Sequence, residues 1–237
     1  MKQLRLFIAV PSTNIWESDF GMSLVFLTNY LASHPVKGFD SWDFTVWNKK
    51  GSILAQLRES LVEQALEMGS THILFLDSDQ TFPRDLAHRL LEHRKLVVAC
   101  NVATKKLPSD PTARQEGKEH YGDLVYTTPT SAGLEEVWRV GTGIMLVNLN
   151  LFAREGMGQP WFEQKWNNTT GRYVGEDWAF CEKIAASGAK IYIDHDVSKQ
   201  VGHVGKLNYG HDMVMRNSDE PVYSAQEEPV FSNRNVG

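Results

Sequence analysis

Ile73-Leu74-Phe75-Leu76-Asp77-Ser78-Asp79 runs four apolar residues straight into two carboxylates two positions apart. The β-branched and aliphatic run His72–Leu76 has the pattern of a buried strand. Such a strand ends near Leu76, which puts Asp77 and Asp79 at the carboxyl edge of a sheet. Two acids this close repel unless a cation joins them. Carboxylate oxygens suit Mg2+ or Mn2+, with phosphate oxygens filling the remaining positions. The plainer alternative is that Asp77 caps the strand end and Asp79 opens a turn.

Working outward, the flanking segments alternate between strand and helix patterns. Leu4–Val10 reads as a strand bounded by Pro11. Residues 19–33 carry Met22, Leu24, Val25, Phe26 and Leu31 at helical spacing and stop at Pro35 and Gly38. Asp43–Trp47 alternates like a short strand. Ser52 looks like a helix N-cap, with Ile53, Leu54, Leu57, Leu61, Ala65 and Met68 on one face and Gly69 as the C′ residue. Pro83 stands at a first helical turn continued by Leu86, Leu90 and Leu91, and Leu96–Cys100 is a further strand. This β-α-β-α-β-α-β order is the signature of a parallel α/β sheet. Beyond it the chain is less regular. Residues 101–119 read as a long polar loop, and 124–127, 136–140 and 144–148 read as strands. Residues 156–175 form a loop rich in glycine and aromatics, 177–187 a helix closed by Gly188, and 190–194 a strand.

The chain has 237 residues, 42% apolar and 22% charged. This suits one large domain, and wholesale disorder, collagen and coiled coil are excluded. The reading is a single domain over residues 1–205. An irregular tail over 206–237 is expected to pack on or cover the functional site. No apolar run is long enough for a membrane helix. Two cysteines, Cys100 and Cys181, make no disulfide framework, so a reducing cytoplasm is the expected compartment. The net charge of −5 does not argue for nucleic acid in bulk. Locally, Arg84, Arg89, Arg94, Lys95, Lys105, Lys106, Arg114 and Lys118 outnumber the acids Asp85, Glu92, Asp110 and Glu116. That stretch is either a solvated face or a contact for a polyanion.

Several chemistries lose their support. There is no GxxxxGK[ST], no GxGxxG after the first strand, no GxSxG and no HExxH. The polar features that remain are few. Glu176-Asp177 lies where loop becomes helix, a position that suits either an N-cap or a general base. His203 sits between Gly202 and Gly205, which would let an imidazole approach a ligand closely. Gly141-Thr142-Gly143 interrupts a strand pair, as a bulge, a turn or a close ligand approach.

Taken in order, Ala9-Val10-Pro11-Ser12, Arg58, Asp77-x-Asp79, Gly141-Thr142-Gly143, Glu176-Asp177 and His203 resemble the GT-A fold glycosyltransferases. The likeness is to the compact, family-2-related type common in phage and bacterial genomes. The resemblance implies a mixed, mostly parallel Rossmann-like sheet with helices on both faces. It implies that Asp77 and Asp79 hold Mn2+ or Mg2+ on the diphosphate of a nucleotide sugar, a UDP-sugar first, with His203 as a further ligand. Ala9, Val10, Pro11, Ser12, Arg58, Ser78, Gly141, Thr142, Gly143 and Lys206 would line the donor pocket. Asp177, with Glu176 second, would be the general base of an inverting transfer. Trp161, Trp166 and Tyr173 would stack on the acceptor. Phage relatives of this kind include enzymes that modify DNA, so a hydroxymethylated pyrimidine in DNA is one expected acceptor and a glycan the other. Two competing readings are a nucleotidyltransferase and a catalytically inactive glycan- or nucleotide-binding module. Against the first, Pro11-Ser12-Thr13-Asn14 is a poor phosphate cradle. Against the second, a binding module has no need of Asp77, Asp79, Asp177 and His203 together.

Overall fold

The computed structural model describes residues 2–117, 122–205, 208–211 and Val214. In chain order the elements are β1 (Gln3–Ser12), α1 (Ser18–Ser33), β2 (Ser41–Lys50), α2 (Leu54–Glu67), β3 (His72–Leu76) and β4 (Gln80–Thr81). Then come α3 (Leu86–Glu92), β5 (Val97–Ala99), β6 (Arg114–Gln115), β7 (Asp123–Leu124), β8 (Leu134–Val137) and β9 (Ile144–Asn148). The chain continues with β10 (Lys165–Asn167), β11 (Arg172–Val174), α4 (Glu176–Ala186), β12 (Ile191–Asp194), α5 (His195–Ser198), β13 (Gly202–Val204) and β14 (Asn208–Tyr209).

Seven strands form one sheet in the order β2-β1-β3-β9-β5-β12-β8. β1 pairs parallel with β2 and β3, and β5 parallel with β12. β9 runs antiparallel between β3 and β5, and β8 is an antiparallel edge on β12. Five strands therefore point one way and two the other, so the sheet is mixed and mostly parallel.

The continuous apolar runs follow from burial on both faces. Along β1, Leu4, Leu6, Ile8 and Val10 face one core layer, while Phe7 and Ala9 face the other. Along β3, Leu74 and Leu76 join the first layer, and Ile73 and Phe75 the second. The first layer is closed by α1 (Phe20, Leu24, Leu27, Leu31) and α3 (Leu86, Ala87, Leu90, Leu91). The second is closed by α2 (Leu61, Val62, Ala65) and α4 (Phe180, Cys181, Ile184). No helix among the described residues is long and apolar enough to cross a membrane.

The helices exist where expected, but their faces differ. In α1 the buried stripe is Phe20, Leu24, Leu27 and Leu31, and Met22, Val25 and Phe26 are exposed. In α2 the helix starts at Leu54, and Ser52 makes no cap. Its buried face is Leu57, Arg58, Leu61, Val62 and Ala65, so Ile53, Leu54 and Met68 stay exposed. Gly69 follows at φ +65°, the left-handed conformation a C′ glycine supplies. α3 begins at Leu86, three residues past Pro83. The expected strand over 124–127 contracts to β7, and that over 136–140 becomes β8.

Candidate active site

The turn after β3 places the two carboxylates. Asp77 N donates to Gly143 O at 2.8 Å, and Gln80 N returns to Asp77 O at 3.1 Å. Gly143 is a glycine for a visible reason. A Cβ there would stand 3.3 Å from both Asp77 Oδ2 and Gln80 Nε2. Next, β4 pairs with β13 so that Gln80 lies opposite His203, and Val204 N donates to Asp79 O at 2.7 Å. This small sheet brings a histidine from the far end of the chain beside the Asp-x-Asp turn.

Asp77 and Glu176 converge on one buried guanidinium. Arg58 is 2% exposed on α2 and donates to Asp77 Oδ1 at 2.8 Å and Oδ2 at 3.1 Å. Its other terminal nitrogen donates to Glu176 Oε1. Burial works against the charged guanidinium, and the charges of Asp77, Glu176 and Asp177 outweigh it, raising its pKa. Arg58 Nε is buried without a partner.

Asp79 faces different partners. Lys105 Nζ donates to its Oδ2, and His203 Nε2 lies 3.5 Å from the same oxygen. Burial alone would raise the Asp79 carboxyl, but the hydrogen bonds and charges of His203 and Lys105 prevail and hold it low. His203 Nδ1 lies 3.0 Å from Ala103 O, and a carbonyl only accepts, so Nδ1 carries the proton. In a neutral imidazole Nε2 then presents a lone pair to a carboxylate oxygen. That lone pair, with Asp79, faces the recess side that a cation could occupy.

Asp177 lies in the first turn of α4. Its Oδ1 accepts from Trp178 N at 2.8 Å. A Cβ on Gly175 would fall 2.8 Å from that oxygen, so glycine there makes room for the carboxylate. Burial, followed by the charge of Glu176, pushes Asp177 up to about 6, with Arg58 opposing.

These groups surround one recess of about 330 Å³, lined by Arg58, Asp77, Lys105, Thr142, Asp177 and His203 among others. Thr142 Oγ1 and Gln80 Oε1 are buried beside it without partners. A neighbouring recess of about 250 Å³ is lined by Pro11, Ser12, Gly51, Ser52 and Asp77 through Asp79. Ser12 there is fixed by Asn48, whose Nδ2 donates to Val10 O at 2.8 Å and Ser12 Oγ at 2.7 Å. Among the described residues, no group of three or more His, Cys, Asp or Glu side chains is placed to hold a metal ion by itself.

The candidates read from the sequence thus divide. Arg58, Asp77, Gly141, Thr142, Gly143, Glu176, Asp177 and His203 line the first recess, and Pro11, Ser12, Ser78 and Asp79 the second. Ala9 and Val10 are fully buried in the two core layers, so their side chains face no pocket. Trp161 is likewise a core residue, 7% exposed, with its indole donating to Met157 O at 2.7 Å. Trp166 and Tyr173 are exposed on the β10–β11 hairpin, edge to face at 5.0 Å, and only Tyr173 reaches a recess beside Asp177. Lys206 lies outside the described residues, as does most of the expected tail. Its described part pairs β14 with β13, and His211 Nε2 hydrogen-bonds Asn101 O. Lys118 lies outside the described residues, and the described part of the basic stretch is dispersed among separate partners. Arg84 stacks on Tyr30, Lys95 on Tyr192, Lys105 binds Asp79 and Lys106 binds Asp110. Gln80, Thr104, Lys105 and Thr112 are site residues that the sequence reading did not single out. Lys105 showed only as one of many local cations.

No family model matches the chain, and no curated protein matches it. Solved structures do. A197 from STIV is 16% identical, with 85% of this chain and 86% of A197 covered, at a TM-score of 0.54. A mutant of Drosophila β1,4-galactosyltransferase 7, complexed with manganese, UDP-Gal and xylobiose, is 15% identical, with 86% and 71% covered, at 0.45. TarS from S. aureus is 15% identical, with 81% and 58% covered, at 0.42. The likeness to A197 shows that the chain shares that protein's fold, a mixed, mostly parallel sheet with helices on both faces.

Proposed function

We propose that this chain is a glycosyltransferase that moves a sugar from a nucleotide diphosphate, a UDP-sugar first, to an acceptor hydroxyl. The observation that carries the reading is the division of labour among the acids. Arg58 holds Asp77 and Glu176, Asp79 faces His203, and Asp177 stands apart with a raised pKa. A structural cluster would pair all four, whereas a reaction needs one carboxylate free to take a proton.

The donor diphosphate fits between the two recesses, against Ser12, the Asp77–Asp79 turn and Lys105. The residues present suit a divalent cation. Asp79 and His203 would hold it, with His203 oriented by its Nδ1–H bond to Ala103 O. Such a cation, when bound, neutralises the charge that builds on the leaving diphosphate. Lys105 supplies positive charge to the same oxygen of Asp79. Arg58 holds Glu176 in an ion pair, which leaves Asp177 as the base. With the sugar's anomeric carbon beside it, Asp177 takes the acceptor hydroxyl proton as the new bond forms opposite the leaving oxygen. One base and no nucleophile give inversion.

A thermal-shift experiment with UDP and UDP-sugars, with and without Mn2+, tests this. A ligand that binds only the native state raises its midpoint. The expected result is a shift that needs nucleotide and metal together and vanishes in Asp79→Ala. No shift with any uridine nucleotide overturns the UDP reading.

A further inference from the structure

A third recess, about 310 Å³, adjoins the first and shares Thr104, Thr112 and Asp177 with it. Its remaining wall includes Arg114, Tyr173 and Trp178. Arg114 comes from β6 and is half-buried. Its backbone is fixed through Arg114 N to Arg139 O at 2.8 Å. Its guanidinium makes no ion pair or hydrogen bond with any described residue, and its Nε is buried without a partner. The two buried arginines also leave an Nε without a partner, but each has an ion pair. Arg58 binds Asp77 and Glu176, and Arg139 binds Glu182 and stacks on Trp138 and Trp178. Asp110 acts on Arg114 only through its charge, since its carboxylate is paired with Lys106. A half-buried cation without an ion pair, its Nε buried and unpartnered beside an open recess, is an arrangement that can bind an oxyanion by its planar fork. Tyr173, 70% exposed, and Trp178 supply ring faces in the same space.

We infer that this recess takes the acceptor, and that the acceptor is a ring-bearing hydroxyl compound carrying an oxyanion, held by Arg114 while its ring lies against Tyr173 and Trp178. The inference rests on the glycosyl-transfer reading and adds the acceptor class to it. The acceptor hydroxyl then meets Asp177 at the edge shared with the donor recess. Its oxygen bonds to the anomeric carbon as the carbon–oxygen bond to the diphosphate breaks. The proton passes to Asp177 and the electron pair leaves with the nucleotide diphosphate.

The test is calorimetric titration of the full chain, with UDP and Mn2+ present, by glucose, glucose 6-phosphate and glucuronate. Either charged sugar is expected to bind roughly tenfold or more tightly than glucose, the size of a charge-assisted hydrogen bond. Comparing the two charged sugars separates phosphate from carboxylate as the oxyanion. In Arg114→Gln the preference should vanish, and in Arg114→Lys it should partly return. Equal binding of charged and neutral sugars, no measurable binding of either charged sugar, or a preference that survives Arg114→Gln overturns the proposal. UDP binding is read in the same cell before the sugar is added. Its failure strikes the donor reading, and the sugar preference is then measured on the protein alone.

Discussion

Arg58 donates to both carboxylate oxygens of Asp77, at 2.8 and 3.1 Å, from a helix position that exposes 2% of its surface. The pair ties α2 to the end of β3, and Glu176 adds the start of α4 to the same guanidinium. Three elements that carry the candidate site are therefore held by one side chain. Removing it leaves two carboxylates facing each other in a poorly solvated place. Arg58→Ala is expected to destabilise the fold by about 3 kcal/mol, the usual cost of breaking a buried ion pair. Urea denaturation at pH 7 measures it. Arg58→Lys should recover only part of that loss, because one ammonium cannot replace the two terminal nitrogens that serve Asp77 and Glu176 separately.

The Asp177 carboxyl, raised to about 6 from 3.8, links pH to both activity and stability. Between these values the folded state holds a proton that the unfolded state has lost. The stabilising contribution is full below the unfolded pKa and disappears as pH rises through about 6. Asp177→Asn should abolish this fall, so the stability difference between variant and wild type grows from pH 4 to pH 7 in the variant's favour. Transfer runs the other way. A base must be unprotonated, so wild-type kcat/KM should rise through about pH 6 to a plateau, and Asp177→Asn should remove transfer while sparing UDP binding. Full transfer by Asp177→Asn would rule out its role as base.

Gly175 offers a milder probe of the same carboxylate. Its φ of −64° is open to any residue, so alanine meets no backbone strain. The obstacle is local, since the new Cβ would lie 2.8 Å from Asp177 Oδ1. Gly175→Ala should therefore keep the melting temperature within a few degrees, yet lower kcat by roughly tenfold or more, as a displaced catalytic group does. A variant with unchanged kcat would show that Asp177 can move aside without consequence.

How much of this was legible in the sequence follows from the range of each interaction. β3 and β9 were readable because each is a short apolar run with clear ends. Their adjacency was not, because nothing local to Ile144–Asn148 says that it inserts antiparallel between β3 and β5. The α1 face was misjudged because apolar residues surround that helix, and only packing selects Phe20, Leu24, Leu27 and Leu31. At the site, Asp77, Asp79 and Asp177 announced themselves by position at element ends. Arg58 is named there only for the donor pocket; its joining of Asp77 to Glu176 is not legible, since Arg58 and Glu176 stand 118 positions apart. The resemblance puts Ala9 and Val10 on the donor pocket, but β1 runs on to Ser12, so both are still inside the sheet.

The aromatic loop gives the last contrast, because two residues expected to share one role sit in opposite environments. Trp161 is packed edge-on against Phe152 at 4.9 Å, and its backbone N–H is held by Glu59 Oε2 at 2.8 Å. Trp161→Ala would empty a large volume of the second core layer and should cost about 3–5 kcal/mol. Tyr173, by contrast, exposes most of its ring on the hairpin beside the Arg114 recess. Its removal strands no buried partner, so Tyr173→Ala should leave the denaturation midpoint nearly unchanged. If its ring serves the acceptor, the same substitution raises the acceptor KM and leaves UDP binding alone. Measuring denaturation and UDP affinity side by side on both variants separates the roles. A large stability loss in Tyr173→Ala, or none in Trp161→Ala, would contradict the division between core and recess drawn here.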